Sequence, residues 1–184
     1  MRGSFARLLA VLAVCAASLG AQAAPTVVIL VRHAEKGALP ANDPPLTEAG
    51  VARARALVAA LADARIDAVI ATPTVRTRET ARAVAEPRGL TIETVALAAK
   101  EAHVGAVAEA VRRHTGQTVL VVGHSNTVPA IITVLGGPKL ADLCDDQYSN
   151  LFTLILGAGP PQLIRGTFGA PSPPPAENCG NPMR

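Results

Sequence analysis

Thr26-Val27-Val28-Ile29-Leu30-Val31-Arg32-His33-Ala34-Glu35-Lys36 runs five aliphatic residues straight into a guanidinium, an imidazole and a carboxylate. Four of the five aliphatics are β-branched, which suits a strand. The absence of polar alternation suits a strand covered on both faces, as in a parallel sheet between helix layers. Ligands of such sheets bind beyond the carboxyl ends of the strands, so Arg32 and His33 fall where chemistry is expected. A single histidine at a strand end is more often structural. Here the pattern occurs twice, because Thr118-Val119-Leu120-Val121-Val122-Gly123-His124-Ser125-Asn126 is again a β-branched run that ends in histidine. Two such strands place His33 and His124 on one rim of one sheet.

The segments between these strands alternate in character. Residues 37–45, rich in proline and turn formers, read as a loop of the kind that shapes a substrate site. Thr47 caps a predicted helix running to about residue 64, with Glu48 in its first turn and Ala52, Leu57, Val58 and Leu61 on its apolar face. Residues 67–71 read as a second strand, stopped by Thr72-Pro73. Arg76, Arg78, Glu79 and Arg82 follow on a helix. Arg78 and Arg82 suit a solvated face knitted by i,i+3 and i,i+4 pairs. Arg76 instead stands in the first turn, where a cation opposes the helix dipole unless an anion binds there.

Residues 91–95 read as a third strand near a sheet edge, and residues 104–113 as a short helix with Val107 and Val111 inward. His114 at its C-terminus and His103 near its start are expected at the surface. After the His124 strand come a helix over about 127–135 and a terminal strand pair, 151–156 and 162–165, joined by Gly and Pro. Strands alternating with helices predict an α/β fold, a three-layer α/β/α sandwich with a mostly parallel central sheet.

The ends of the chain are distinct. Arg2 and Arg7, an apolar run over 8–19 and Ala21-Gln22-Ala23 follow the plan of a secretory signal peptide. The apolar run is shorter than the roughly 20 residues that a membrane anchor requires. Residues 1–23 are therefore expected to be removed on export to a periplasmic or extracellular compartment, leaving one domain over 24–184 and no stable membrane span. From about residue 169 the chain is rich in Pro, Ser and Asn, as in an irregular tail. Removing 1–23 takes away two arginines and no acid, so the net charge of +3 becomes +1. That charge, with Tyr148, Phe152 and Phe168 as the remaining aromatics, excludes a basic, base-stacking nucleic-acid surface. Cys15 leaves with the leader. Cys144 and Cys179 remain, and an even number in an exported chain reads as a disulfide, with two unrelated buried thiols as the alternative.

Arg32, His33, Arg76 and His124 are poor company for a metal ion, since no H-x-x-x-H pair occurs and guanidiniums repel cations. No metal or cofactor is expected. The same four groups suit an oxyanion: arginine offers a planar fork of donors to phosphate, and a protonated His124 adds another. His33 then serves as nucleophile, a neutral imidazole that carries a phosphoryl group until water removes it.

Four motifs occur in an order that resembles the histidine phosphatase superfamily, the phosphoglycerate mutase-like fold. They are Arg32-His33 after an aliphatic strand, Leu46-Thr47-Glu48-Ala49-Gly50, Thr72-Pro73-Thr74-Val75-Arg76-Thr77-Arg78-Glu79-Thr80-Ala81, and Gly123-His124. The resemblance covers about residues 27–155. It implies a small exported bacterial-type member in which His33 is phosphorylated and Arg32, Arg76 and His124 form the catalytic phosphate pocket. The activity implied is a metal-independent, histidine acid-type phosphatase acting on phosphomonoesters or phosphoramidates, the substrate being a small phosphorylated molecule or a phosphoprotein. A protein phosphohistidine phosphatase is the first alternative, and a non-catalytic phosphate-binding module the second. Family members supply an acidic proton donor in an L-x-E pattern after the third strand. Here that pattern reads Leu97-Ala98-Ala99, which leaves Glu101 as a possible donor and Glu35 and Asp43 as others. The His-Asp pair of the phytase-like branch is replaced by His124-Ser125.

Overall fold

The computed structural model describes residues 24–174 and Cys179; the expected signal peptide, residues 1–23, and the rest of the tail lie outside the described residues. The strands are β1 (Thr26–Arg32), β2 (Ala68–Ala71), β3 (Ile92–Thr94), β4 (Thr118–Gly123), β5 (Asn150–Leu156) and β6 (Gln162–Thr167), and the helices α1 (Glu48–Ala60), α2 (Val75–Ala85), α3 (Lys100–Arg113) and α4 (Thr127–Val134). They form one sheet of order β3-β2-β4-β1-β5-β6. Strands β3, β2, β4 and β1 pair in parallel, while β5 runs antiparallel to β1, and β6 antiparallel to β5. The expected edge position of β3 and the mostly parallel sheet are both present.

Strand alternation splits the core into two layers. Val28, Leu30, Ile70, Val119 and Val121 pack against α3 and α4 through Val107, Val111, Ile131 and Ile132. Ile29, Val31, Val69, Leu120 and Val122 pack against α1 and α2 through Leu57, Leu61, Ala81 and Val84. Because β1 and β4 are buried on both faces, their sequences are unbroken aliphatic runs rather than alternating ones.

The β1–β4 register builds the site. Arg32 lies opposite Gly123, and the His33 N–H donates to the Gly123 carbonyl at 2.9 Å. His33 and His124 therefore leave the sheet side by side. At the start of α1 the Thr47 hydroxyl accepts the Gly50 N–H at 3.1 Å. A Cβ on Gly50 would stand 2.2 Å from the Glu35 carbonyl oxygen, so only glycine lets this helix approach the backbone just beyond His33.

Several expectations need correction. Helix α1 leaves helical geometry at Leu61, short of residue 64. Ala52 is exposed, and the neighbouring Arg53 is buried in its stead. Arg53 tolerates burial because Glu35 takes its Nε at 2.8 and 3.0 Å, and the Phe168 and Ala170 carbonyls take Nη1 at 3.0 and 2.9 Å. Glu79 does not pair along its helix; its carboxylate accepts the Leu46 N–H at 2.8 Å. Helix α3 begins at Lys100, four residues before Val104, because its first turn is solvent-facing and carries no apolar period. His103 is buried, not superficial, since its Nδ1 meets the Ala96 carbonyl at 2.9 Å. His114 caps α3 as expected and binds Glu93 at 3.0 Å. The tail is tied down at Ser172, whose hydroxyl accepts the Tyr148 and Ser149 N–H groups, each at 2.9 Å.

Candidate active site

Strand β1 delivers Arg32 and His33, β4 delivers His124, and the first turn of α2 delivers Arg76. All four line one cavity of about 430 Å³, together with Lys36, Lys100, His103 and Asp145. His33 is 3 % exposed, and its Nδ1 lies 2.8 Å from the Ala34 carbonyl oxygen. A carbonyl can only accept, so Nδ1 carries the proton and Nε2 keeps a free lone pair. The His33 and His124 rings stand 5.5 Å apart, edge to face.

Burial pushes the His33 pKa down to about 3; the charges of Arg32 and Arg76 and the neighbouring His124 add to this, and the Ala34 hydrogen bond opposes it. Burial likewise brings His124 down to about 4, with Arg76, His103 and Arg32 contributing. Both imidazoles are therefore neutral at pH 7. His124 Nε2 sits 3.1 Å from the Thr72 hydroxyl, which continues to Thr77 at 2.8 Å and Thr74 at 3.3 Å.

Arg32 is 4 % exposed. Its Nη1 donates to the carbonyls of Cys144 at 2.7 Å, Asp145 at 3.0 Å and Gln147 at 3.4 Å, and its Nη2 to the Tyr148 hydroxyl at 3.4 Å. The guanidinium also lies 4.1 Å from the Tyr148 ring centre, within the range of a cation–π contact. Burial lowers the Arg32 pKa while Tyr148 and Asp145 oppose the shift. Arg76 meets Asp43 at 3.4 Å. The same carboxylate accepts the Val75 N–H at 3.0 and 3.2 Å, so Asp43 supplies the negative charge that the start of α2 requires. The Nε atoms of both Arg32 and Arg76 are buried without a partner among the described residues.

The candidate proton donors from sequence are not brought together. Glu35 is locked to Arg53, Asp43 serves α2 and Arg76, and Glu101 is exposed and away from the cavity wall. Sequence reasoning missed the 144–148 loop, Thr72 and His103. The adjacent sequence Cys144-Asp145-Asp146-Gln147-Tyr148 offered only a lone aromatic as a signal. Cys144 and Cys179 face each other with Cα atoms 5.3 Å apart. Among the described residues no three His, Cys, Asp or Glu side chains converge as metal ligands, and no helix is long and apolar enough to cross a membrane.

The α/β sandwich thus brings two histidines, from the ends of the adjacent parallel strands β1 and β4, and two arginines, from the end of β1 and the first turn of α2, to one cavity, a set of groups suited to an oxyanion. Residues 28–106 match the family model of the histidine phosphatase superfamily, branch 1. The match contains Arg32, His33 and Arg76; His124 lies beyond it and joins them through the β1–β4 register. A candidate phosphohistidine phosphatase SixA from Agrobacterium tumefaciens is 27% identical, with a TM-score of 0.55, over 80% of this chain and 98% of that one. The protein histidine phosphatase SixA complexed with tungstate is 18% identical, with a TM-score of 0.59, over 77% and 96%. The open reading frame Rv3214 from Mycobacterium tuberculosis is 17% identical, also at 0.59, over 79% and 98%. These last two share the fold. No curated protein matches the sequence significantly.

Proposed function

We propose that this protein is an exported, metal-independent phosphatase that hydrolyses phosphomonoesters or phosphoramidates through a phosphohistidine on His33. The observation that carries the reading is the state of His33: a buried neutral imidazole whose Nδ1 proton is held by Ala34, so that Nε2 is free beside two guanidiniums. Arg32 and Arg76 receive the equatorial phosphate oxygens. His124 takes up a proton when the dianion arrives, because a neighbouring negative charge favours its cationic form.

The His33 Nε2 lone pair forms the N–P bond as the P–O or P–N bond to the leaving group breaks. Water then attacks phosphorus, and the electron pair of the N–P bond returns to Nε2. Fixed donors stabilise the charge of both transition states without reorganisation. The Ala34 hydrogen bond keeps the ring in one tautomer throughout, and Tyr148 with the carbonyls of Cys144, Asp145 and Gln147 keeps Arg32 from turning away.

Protein phosphohistidine is the second reading on substrate, favoured by the 27% identical SixA neighbour. Export through residues 1–23 and a Cys144–Cys179 disulfide complete the proposal; the facing sulfurs and the leader-like composition support each other, since disulfides persist in oxidising compartments. Acid-free quenching after mixing with a radiolabelled aryl phosphate tests the mechanism. Alkali-stable, acid-labile label on the His33 peptide is expected. Turnover without any such label would reject the phosphohistidine route, and binding without turnover would leave a phosphate-binding module.

A further inference from the structure

His103 is the one imidazole of the cavity wall that the proposed chemistry leaves without a task. It sits in the second turn of α3, 2 % exposed. Leu97, Ala98 and Lys100 line the cavity beside it, and it is near enough to His124 to help lower that residue's pKa. Its Nδ1 lies 2.9 Å from the Ala96 carbonyl oxygen, so Nδ1 bears the proton and the ring is held in one orientation. Its Nε2 is buried and has no partner among the described residues. Buried polar atoms are nearly always paired, and an orphan nitrogen on a cavity wall points to a group that arrives with the ligand.

The reaction lacks a proton for the leaving group. Glu35, Asp43 and Glu79 are held by Arg53, Arg76 with the start of α2, and Leu46 respectively. Glu101 is exposed and off the wall. Asp145 lines the cavity, but its side chain is fully exposed and faces Arg32 at 4.0 Å.

We infer that His103 is a catalytic residue which, through Nε2, donates the proton to the departing oxygen, and that alkyl as well as aryl phosphomonoesters are substrates; this rests on the phosphatase reading above. As the His33 N–P bond forms, the P–O bond breaks and its electron pair takes the proton from the His103 imidazolium, releasing an alcohol. Neutral His103 then accepts a proton from the attacking water as the P–N bond breaks, and phosphate leaves. The Ala96 hydrogen bond persists in both states, because Nδ1 is a donor in each.

His103→Asn is the informative variant, because the Asn amide can keep the bond to Ala96 while Nε2 is lost. Its kcat/KM is compared with that of the wild type on 4-nitrophenyl phosphate, whose leaving group departs unprotonated, and on ethyl phosphate, whose leaving group cannot. The ratio of ethyl to 4-nitrophenyl turnover is expected to fall about 10²-fold or more in the variant. An unchanged ratio, whether both rates fall together or neither falls, overturns the assignment. Asp145→Asn alters a fully exposed side chain and keeps the test decisive should His103→Asn fail to fold. With His103 as donor the Asp145→Asn ratio stays at the wild-type value; a ratio that collapses there gives the role to Asp145 and overturns the inference. A wild-type protein that cleaves 4-nitrophenyl phosphate with a labelled His33 but leaves ethyl phosphate untouched removes the donor alone. Inertness toward both, with no label, removes the phosphatase reading and the inference with it.

Discussion

Replacing His33 with Asn tests whether burial of the nucleophile couples folding to pH. The imidazole titrates at 6.5 in the unfolded chain and at about 3 in the folded one. Between these values the unfolded chain binds one proton that the folded chain does not, so acidification favours unfolding. The stability associated with a neutral His33 is complete above 6.5, declines as pH falls, and is fully lost once pH passes below about 3. At roughly 1.4 kcal/mol per pKa unit, and allowing for partial protonation at the ends, moving from pH 6 to pH 4 costs on the order of 2 kcal/mol through this residue alone. His124 acts in the same direction, by less because its folded value is about 4 and its ring is partly exposed. His33→Asn keeps a donor for Ala34 and removes the titration. Urea unfolding followed by circular dichroism at pH 6 and pH 4, in buffers without phosphate, gives both falls in stability. The wild type should lose on the order of 2 kcal/mol more than the variant. Equal losses, or a wild type that gains stability on acidification, would mean that His33 is not buried neutral and would remove the basis for its nucleophilic role.

Arg76→Ala should lower kcat/KM by a factor equivalent to about 1.5–3 kcal/mol of charge-assisted bonding, whereas the exposed Arg78→Ala should change it little; equal losses would mean the pocket is misplaced. Arg53→Ala should destabilise the fold by about 3–5 kcal/mol, since it strands the partly buried Glu35 carboxylate, and a denaturation midpoint within error of the wild type would show the pair to be incidental. Vanadate should inhibit and chelators should not if, as proposed, cations of the protein hold the phosphoryl group; activity lost to a chelator and restored by zinc or magnesium would reject that assignment. Reduction of the proposed Cys144–Cys179 disulfide, which would close a separation of 35 residues, should cost about 3–4 kcal/mol in the chain-entropy picture. Two thiols titrating in unreduced protein from an oxidising compartment would dispose of the bond.

The sheet and the heart of the site were legible in the chain because their signals are local. An unbroken β-branched run means a strand buried on both faces, and a run that ends in Arg32-His33 or Gly123-His124 places the polar group at the strand end. Thr47 with Gly50 and the arginines of α2 were equally readable, since a cap and a helix turn are decided within four residues. The resemblance to the superfamily then assigned roles that patterning could not. What only the tertiary structure decided concerns polar groups whose environment comes from distant segments. Arg53 looks like a solvated helix residue until Phe168 and Ala170 bring it carbonyls from 115 and 117 positions away. Arg32 depends on carbonyls 112 to 115 residues on. Likewise, His103 differs from His114 only because the loop after β3 folds its Ala96 carbonyl onto the ring. A charged or imidazole side chain can be buried only where partners replace water, and for these residues the partners are set by the packing of the whole sheet rather than by neighbours in sequence.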